Sequence, residues 1–226
     1  MTGSPLASVA PLLHRGRPRP LTFIRMLVVH TTGSGIVEQA RRHGADPLEW
    51  AVAYYGRPES YCPHYVCGWD GHLVQVVDEE EIALHVGLTP AQHLAYEDGT
   101  WRKKIDARHW DEAWPGLRSP LDLSHGSANA VSIGVEMLPV ERPVNVDGEP
   151  VPLWFTDAQH EAIEDLAADV FGRHAITPAR TALVGHEDVG PLDRWDAGGG
   201  WDPGARRARP RFDWGRVLGS LGIASG

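Results

Sequence analysis

Three short runs of β-branched and apolar residues, each with a histidine or an acidic residue at or near its end, most constrain the fold of this chain. The runs are Arg25–His30, Val131–Met137 and Thr181–Val184. Such runs are typical of buried strands. Helical patterns lie between them, and strands that alternate with helices favour an α/β fold. The polar residues at the strand ends, His30, Glu136 and His186, are therefore candidate functional groups.

Local signals refine this arrangement. The pair Asp46-Pro47 is typical of an N-cap followed by proline in the first helical turn, and Thr156-Asp-Ala-Gln159 fits a capping box. The runs His64–Cys67 and Leu73–Val77 flank the turn signal Asp70-Gly71 and predict a hairpin. Because a hairpin is antiparallel, we expect a mixed central β-sheet flanked by helices in a single α/β domain.

The length of 226 residues is enough for one domain with a sizeable core. We expect residues 1–20 to form an extended N-terminal arm and residues 21–226 to form the main domain. Residues 88–126 contain three tryptophans and follow neither a helix nor a strand period. We interpret them as an irregular insert, because long irregular segments in compact domains are usually functional or mobile.

Composition and charge exclude several classes of function. The net charge of −9 gives no support for binding nucleic acid across the whole surface. No run approaches the roughly 18 apolar residues of a membrane span, and the first 20 residues lack the apolar core of a secretory signal. We therefore expect a protein made in the cytoplasm without a signal peptide. Cys62 and Cys67 are expected to be free thiols, because five residues of extended strand separate them too widely for a disulfide.

The residues at the strand ends fit a metal site. His30 and His186 each follow an apolar run, and Asp202 stands directly before the Pro-Gly of a turn. Two histidines and a carboxylate form a three-ligand set that leaves a fourth position on zinc open, as in catalytic sites. Glu136 ends another strand, where a carboxylate is costly to bury unless it is paired or acts as a base.

Several motifs occur in an order that resembles a known family. They are Met26-Leu-Val-Val-His30-Thr-Thr, Pro63-His64-Tyr65-Val66, Asp70-Gly71, Leu84-His85-Val-Gly87, the segment from Asn129 to Glu136, Val184-Gly-His186-Glu-Asp-Val, Asp202-Pro-Gly204 and Phe212-Asp-Trp214. Over about residues 25–220 this order resembles the zinc-dependent N-acetylmuramoyl-L-alanine amidases of the type 2 amidase and peptidoglycan recognition superfamily. The resemblance implies one zinc ion at one end of the sheet. It also implies hydrolysis of the amide between N-acetylmuramic acid and L-alanine in peptidoglycan or muropeptides.

The resemblance assigns roles to single residues. His30, His186 and Asp202 correspond to the zinc ligands. Glu136 corresponds to the catalytic glutamate that activates the attacking water and passes a proton to the leaving amine. His85 corresponds to a histidine of the substrate cleft, whereas His64 is expected to be structural.

Two further residues are expected to bind substrate together with His85. Asn129 lies in the segment that borders the cleft in the family. Trp201 adjoins the proposed ligand Asp202, and aromatic faces commonly line clefts that bind sugars or peptides.

The loop before Asp202 departs from the family pattern. Many relatives carry a lysine two residues before the ligand aspartate, where this chain has Gly200. An alternative alignment takes Asp196 as the ligand and puts Arg194 at the position of the lysine. We prefer Asp202, because the Pro-Gly after it sets the turn. We expect Arg194 to supply the positive charge that stabilises the oxyanion.

Two other functions are compatible with the same scaffold. A non-catalytic peptidoglycan-binding module would lack a complete ligand set, whereas this chain has all three ligand types and Glu136. A zinc hydrolase with a different amide substrate is compatible with the insert at 88–126. For an amidase without an export signal, a phage-type endolysin released to the cell wall by a holin-type partner stands beside a cytosolic muropeptide-recycling enzyme.

Overall fold

A six-stranded mixed sheet forms the centre of the fold. The computed structural model of the protein describes residues 2–10, 17–32, 34–57, 61–86, 128–140, 142–146, 149–153, 155–189 and 212–223. The strands are β1 (Ser8–Val9), β2 (Met26–Thr31), β3 (Tyr65–Cys67), β4 (Leu73–Gln75), β5 (Ser132–Met137), β6 (Arg142–Val146), β7 (Glu149–Leu153) and β8 (Leu183–Gly185). The central sheet has the order β1-β4-β3-β5-β2-β8, and β6 and β7 form a separate antiparallel hairpin.

Helices flank this sheet. They are α1 (Ser34–Arg42), α2 (Pro47–Tyr55), α3 (Ala128–Val131), α4 (Asp157–Arg173), α5 (His186–Val189) and α6 (Trp214–Ser220), with a 3-10 turn at Leu21–Phe23. The side chain of Asp46 accepts hydrogen bonds from the first turn of α2, with Pro47 at the helix start. Thr156 and Gln159 form the capping box of α4. Both helix starts agree with the sequence prediction.

The strand directions confirm the predicted mixed sheet. Strands β3 and β4 are antiparallel, whereas β5, β2 and β8 run parallel to one another. The predicted turn between β3 and β4 contains Gly71, whose φ is +82°. A Cβ atom there would lie 2.6 Å from the carbonyl oxygen of Ala158. Glycine is therefore required both by the backbone conformation and by the close approach of α4.

The two faces of the sheet pack against different helices. On one face, Leu27 and Ile133 belong to a core that includes Ile163 of α4 and Leu218 of α6. Because side chains alternate along a strand, Val66 lies on the opposite face, where it packs in a second cluster with residues of α1 and α2. His30 follows Val29 of the first core, so it belongs to the second face.

The N-terminal segment contacts the edge of the sheet. Strand β1 pairs with β4 in parallel, and the backbone N–H of Ser4 donates to the hydroxyl of Tyr65 at 2.8 Å. A strand of two residues has no readable period, so β1 was not predicted. The domain boundary at residue 20 stays a prediction, and the proposed insert at 88–126 lies outside the described residues.

Two smaller expectations concern thiols and membranes. Cys62 and Cys67 are buried free thiols, as predicted. Within the described ranges, no helix has the length and apolar character that crossing a membrane requires.

Candidate active site

The carboxyl ends of three neighbouring parallel strands bring His30, Glu136 and His186 to one edge of the sheet. His30 of β2 pairs in register with Glu136 of β5. Val29 pairs with Gly185 of β8, so His186, one residue later, comes beside His30. Neighbouring strands lie about 4.8 Å apart, and the carboxyl ends of strands are where open α/β sheets bind ligands. The predicted clustering of these three residues is therefore present in the fold.

The two histidines face each other through their Nδ1 atoms. The distance from His30 Nδ1 to His186 Nδ1 is 2.8 Å, and the two residues are 0% and 1% exposed. Two nitrogens bound to one tetrahedral zinc ion at about 2.0–2.1 Å lie about 3.3–3.4 Å apart. The two Nδ1 atoms would therefore have to separate by only about 0.5 Å to bind the same ion, and on this basis the pair suits a zinc site as two of its ligands.

The third proposed ligand lies outside the described residues. This applies to Asp202 and to its alternative Asp196, and also to Arg194 and Trp201. Within the residues that the structure does describe, no group of three histidine, cysteine or acidic side chains is arranged to hold a metal ion.

Glu136 is the acidic residue beside this histidine pair. It is only half-buried, in contrast to its neighbours on β5. Its place in register with His30 puts the side chain next to the proposed ligand, and the residue as a whole is partly exposed. A carboxylate in this position suits proton transfer to and from a reacting group.

His85 contacts the other side of the His30 ring. Its Nδ1 atom is 2.8 Å from Nε2 of His30, and its Nε2 atom is 3.0 Å from the hydroxyl of Ser132. Burial, with smaller contributions from His64, His186 and Arg19, holds the pKa of His85 well below its usual value. His85 is therefore neutral at neutral pH.

Asn129 fixes the backbone at His85 by hydrogen bonds, and Gly134 leaves room for the His85 ring. The side-chain oxygen of Asn129 accepts hydrogen bonds from the N–H groups of His85 and Val86, and its amide donates to the carbonyl of Val86. A Cβ atom at Gly134 would lie 2.5 Å from the His85 ring. These described contacts of His85 and Asn129 are internal to the protein, and their expected contact with substrate stays a prediction.

The buried guanidinium of Arg19 lies next to this group of histidines, in contact with His64. Arg19 is 5% exposed, and it donates hydrogen bonds to the backbone carbonyls of Glu79, Asn129, Ala130 and Ser132. Its Nη2 atom also lies 2.9 Å from Nε2 of His64. Burial lowers the pKa of Arg19 to about 10, so it stays charged at neutral pH. Burial and the Arg19 charge lower the pKa of His64 to about 3.

Sequence reasoning missed Arg19, Ser132 and Gly134. Ser132 and Gly134 stand inside the segment from Asn129 to Glu136 that was singled out, but only Asn129 and Glu136 were given roles. Arg19 is one of three arginines in the N-terminal segment, and no local pattern distinguishes it from the other two.

Comparison with known proteins gives one family match and several similar folds. A sequence profile of the Amidase_2 family, described as N-acetylmuramoyl-L-alanine amidase, matches residues 18–205. No curated protein matches the chain. The crystal structure of a selenomethionine derivative of AmpD has a TM-score of 0.52 and 20% identity, with 96% of each chain covered. At that identity the likeness shows the fold alone.

Two other solved structures have lower TM-scores. The E. coli amidase AmiD, in complex with anhydro-N-acetylmuramic acid-L-Ala-D-γ-Glu-L-Lys, has a TM-score of 0.47 and 20% identity, with 92% of this chain and 60% of that chain covered. The endolysin amidase LysCS from Clostridium intestinale URNW has a TM-score of 0.47 and 14% identity, with 99% and 100% covered. The family match, by contrast, spans most of the 226 residues. The chain therefore belongs to the Amidase_2 family and is an N-acetylmuramoyl-L-alanine amidase, a hydrolase of peptidoglycan amides.

Proposed function

We propose that this amidase is zinc-dependent and cleaves the amide between the lactyl group of N-acetylmuramic acid and L-alanine. The observation that carries the proposal is the buried pair of Nδ1 atoms of His30 and His186, 2.8 Å apart, beside Glu136 in the sheet. Neutral imidazole is a common zinc ligand. When bound, zinc supplies a Lewis acid that polarises the scissile carbonyl and acidifies an attacking water.

Residues of the chain carry out metal binding, proton transfer and stabilisation of the developing charge. His30, near the end of β2, and His186, directly after β8, would hold the metal, and Asp202 would complete the ligand set. Glu136 accepts a proton at its carboxylate from the attacking water and delivers it to the leaving amine of L-alanine. Arg194 stabilises the negative charge that develops on the former carbonyl oxygen.

Metal removal and reloading test this proposal. The protein is treated with a chelator, reloaded with zinc and incubated with muropeptides, and the released peptides are identified by mass spectrometry. We expect release of peptides that begin with L-alanine, lost on chelation and restored by zinc. His30→Ala and His186→Ala are expected to lose bound zinc, whereas His43→Ala, at an exposed position, keeps it. Full turnover after complete metal removal would contradict the proposal.

Two aspartates compete for the place of third ligand. Asp202→Asn is expected to lower zinc affinity strongly, while Asp196→Asn leaves it close to that of the wild type. The opposite result would move the assignment to Asp196. Metal analysis after dialysis against a weak chelator measures the difference.

The role of Arg194 is tested separately. Arg194→Ala is expected to lower kcat by about 10²–10³, which is typical for removal of one oxyanion-stabilising group, without loss of zinc. Full turnover in the zinc-loaded variant would refute the assignment.

The form of the substrate separates two biological settings. We propose peptidoglycan or a muropeptide as substrate, with Trp201 as a candidate contact; His85 and Asn129 are buried among internal hydrogen bonds. Activity on intact sacculi would favour an endolysin that a holin-type partner releases to the wall. Activity confined to small anhydro-muropeptides would favour a cytosolic recycling enzyme.

A further inference from the structure

A chain of hydrogen bonds behind the histidine pair begins at the hydroxyl of Ser132. This hydroxyl is 2.6 Å from the carbonyl oxygen of Ala128. A carbonyl can only accept, so the hydroxyl donates its single proton to it. The oxygen of Ser132 then accepts from the Nε2 atom of His85, 3.0 Å away. His85 therefore carries a proton on Nε2.

The same assignment of donors and acceptors determines which nitrogen of His30 carries a proton. A neutral imidazole has one N–H and one lone pair, so the Nδ1 atom of His85 is an acceptor. It lies 2.8 Å from Nε2 of His30, which therefore donates. The lone pair of the His30 ring is then on Nδ1, the atom that faces Nδ1 of His186.

We propose that Ser132 and His85 are positioning residues that fix His30 in the tautomer with its proton on Nε2, so that Nδ1 is ready to bind the catalytic metal. This inference rests on the zinc site proposed above and adds to it the residues that prepare one ligand. Partners of this kind orient metal-binding histidines and raise their basicity.

The surroundings hold the hydrogen-bonded series Ser132–His85–His30, called the relay below, in one arrangement. Asn129 makes three hydrogen bonds to the backbone at His85 and Val86. Gly134 leaves the space that the His85 ring occupies, since a Cβ atom there would come within 2.5 Å of the ring. The ring planes of His30 and His85 are nearly perpendicular, at 88°. The His85 ring is thus confined by its backbone, by the strand below it and by both of its nitrogens.

Substitutions at His85 test the relay in the metal-free protein. His85→Leu removes both ring nitrogens, whereas His85→Asn places an acceptor oxygen close to the position of Nδ1. Long-range ¹H–¹⁵N spectra report which nitrogen of His30 is protonated, and the His30→Gln variant identifies its signals. We expect Nε2 protonation in the wild type and in His85→Asn, and a shift towards Nδ1 protonation in His85→Leu.

Zinc affinity gives the second readout. Competition with a chromophoric chelator is expected to show affinity about 10- to 100-fold lower in His85→Leu and close to the wild-type value in His85→Asn. Folded His85→Leu with an unchanged His30 tautomer would overturn the proposal. If that variant fails to fold, Ser132→Ala decides, since it removes the acceptor that fixes His85. Mixed tautomers of His85 and His30 are then expected, and unchanged tautomers would overturn the relay.

The two proposals fail in different ways. A wild-type protein that binds no zinc would refute the metal site. Unchanged tautomers in the variants, together with intact zinc binding by the wild type, would refute only the relay.

Discussion

At the scale of single residues, His30 and Glu136 stand side by side in the sheet but differ in burial. His30 is fully buried, whereas Glu136 is half-buried. Full burial suits a ligand whose orientation must be fixed. Partial exposure suits a base that must reach both the attacking water and the leaving amine. The difference supports separate roles for the two neighbours.

The variant Glu136→Gln tests this division of roles. It keeps the size of the side chain and removes its basicity, so we expect kcat to fall by about 10²–10⁴ while zinc stays bound. Peptide release and metal analysis measure the two quantities, and Glu38→Gln on the exposed side of α1 is the control. Loss of zinc from Glu136→Gln would identify Glu136 as a ligand instead.

Gly134 gives a steric test at the same scale. The variant Gly134→Ala places a methyl group where the His85 ring lies, 2.5 Å from its atoms. We expect a loss of stability of about 1–3 kcal/mol, which is typical of overpacking, and weaker zinc binding. The control Gly172→Ala, in α4 with open space around the position, is expected to cause no loss. Unfolding in urea and chelator competition measure the effects, and a Gly134→Ala protein equal to the wild type would exclude the close contact.

The sequence was sufficient to predict that His30, His186 and Glu136 come together at one edge of the sheet, because each follows or ends an apolar run whose strand direction is predictable. The sequence was not sufficient to identify the buried residues that surround them. Ser132 contacts His85 across 47 residues, and Arg19 contacts Ser132 across 113. Such contacts depend on the strand order and leave no local pattern.

Among the elements, the N-terminal segment stabilises those that carry the residues in contact with His85. Arg19 ties this segment to the carbonyls of α3 and of the first residue of β5. These elements carry Asn129 and Ser132, which contact His85. An extended arm was predicted here, but its docking was not, because two-residue strands and single buried arginines have no periodic signal.

Removal of the Arg19 side chain tests the docking. In Arg19→Ala, buried carbonyls lose their donor, and we expect a loss of at least about 2 kcal/mol in the free energy of unfolding. The control Arg17→Ala removes the same charge from an exposed position two residues earlier and is expected to be neutral. Urea titrations compare the variants. Equal stability of the two would show that the segment does not depend on the buried guanidinium.

At the scale of the whole molecule, a buried acidic residue makes stability depend on pH. The carboxylate of Glu79 accepts hydrogen bonds from the hydroxyl of Tyr65 and from Arg173, and it contacts Nε2 of His174 at 2.8 Å. Burial alone would raise its pKa, but these partners lower it to about 2 from the usual 4.5. The unfolded chain therefore binds a proton at Glu79 at a higher pH than the folded protein does. The stabilisation is complete above about pH 4.5 and is lost as the pH falls towards 2.

The variant Glu79→Gln is expected to show a smaller loss of stability between about pH 4.5 and 2 than the wild type, because the titrating group is removed. Its stability at pH 7 is expected to be lower, since Arg173 loses its charged partner. Urea unfolding over a pH series measures both effects, with Glu38→Gln on α1 as control. A Glu79→Gln protein with the wild-type pH dependence would contradict this account.

The overall fold was largely predictable because its signals are local. Apolar runs, the Asp70-Gly71 turn and the caps at Asp46 and Thr156 together predicted a mixed sheet flanked by helices. The order of strands was not predictable from these signals, since it depends on pairing between distant segments. That order is what makes β5, β2 and β8 neighbours and brings their carboxyl ends together.

We propose that Nδ1 of His30 and Nδ1 of His186 bind one zinc ion. The most direct measurement is a crystal structure of the zinc-loaded protein with anomalous scattering recorded at the zinc edge. We predict one anomalous peak at about 2.0–2.1 Å from both Nδ1 atoms, with an aspartate of the following loop as third ligand. A peak bound through Nε2 of either histidine, or located away from this pair, would contradict the account.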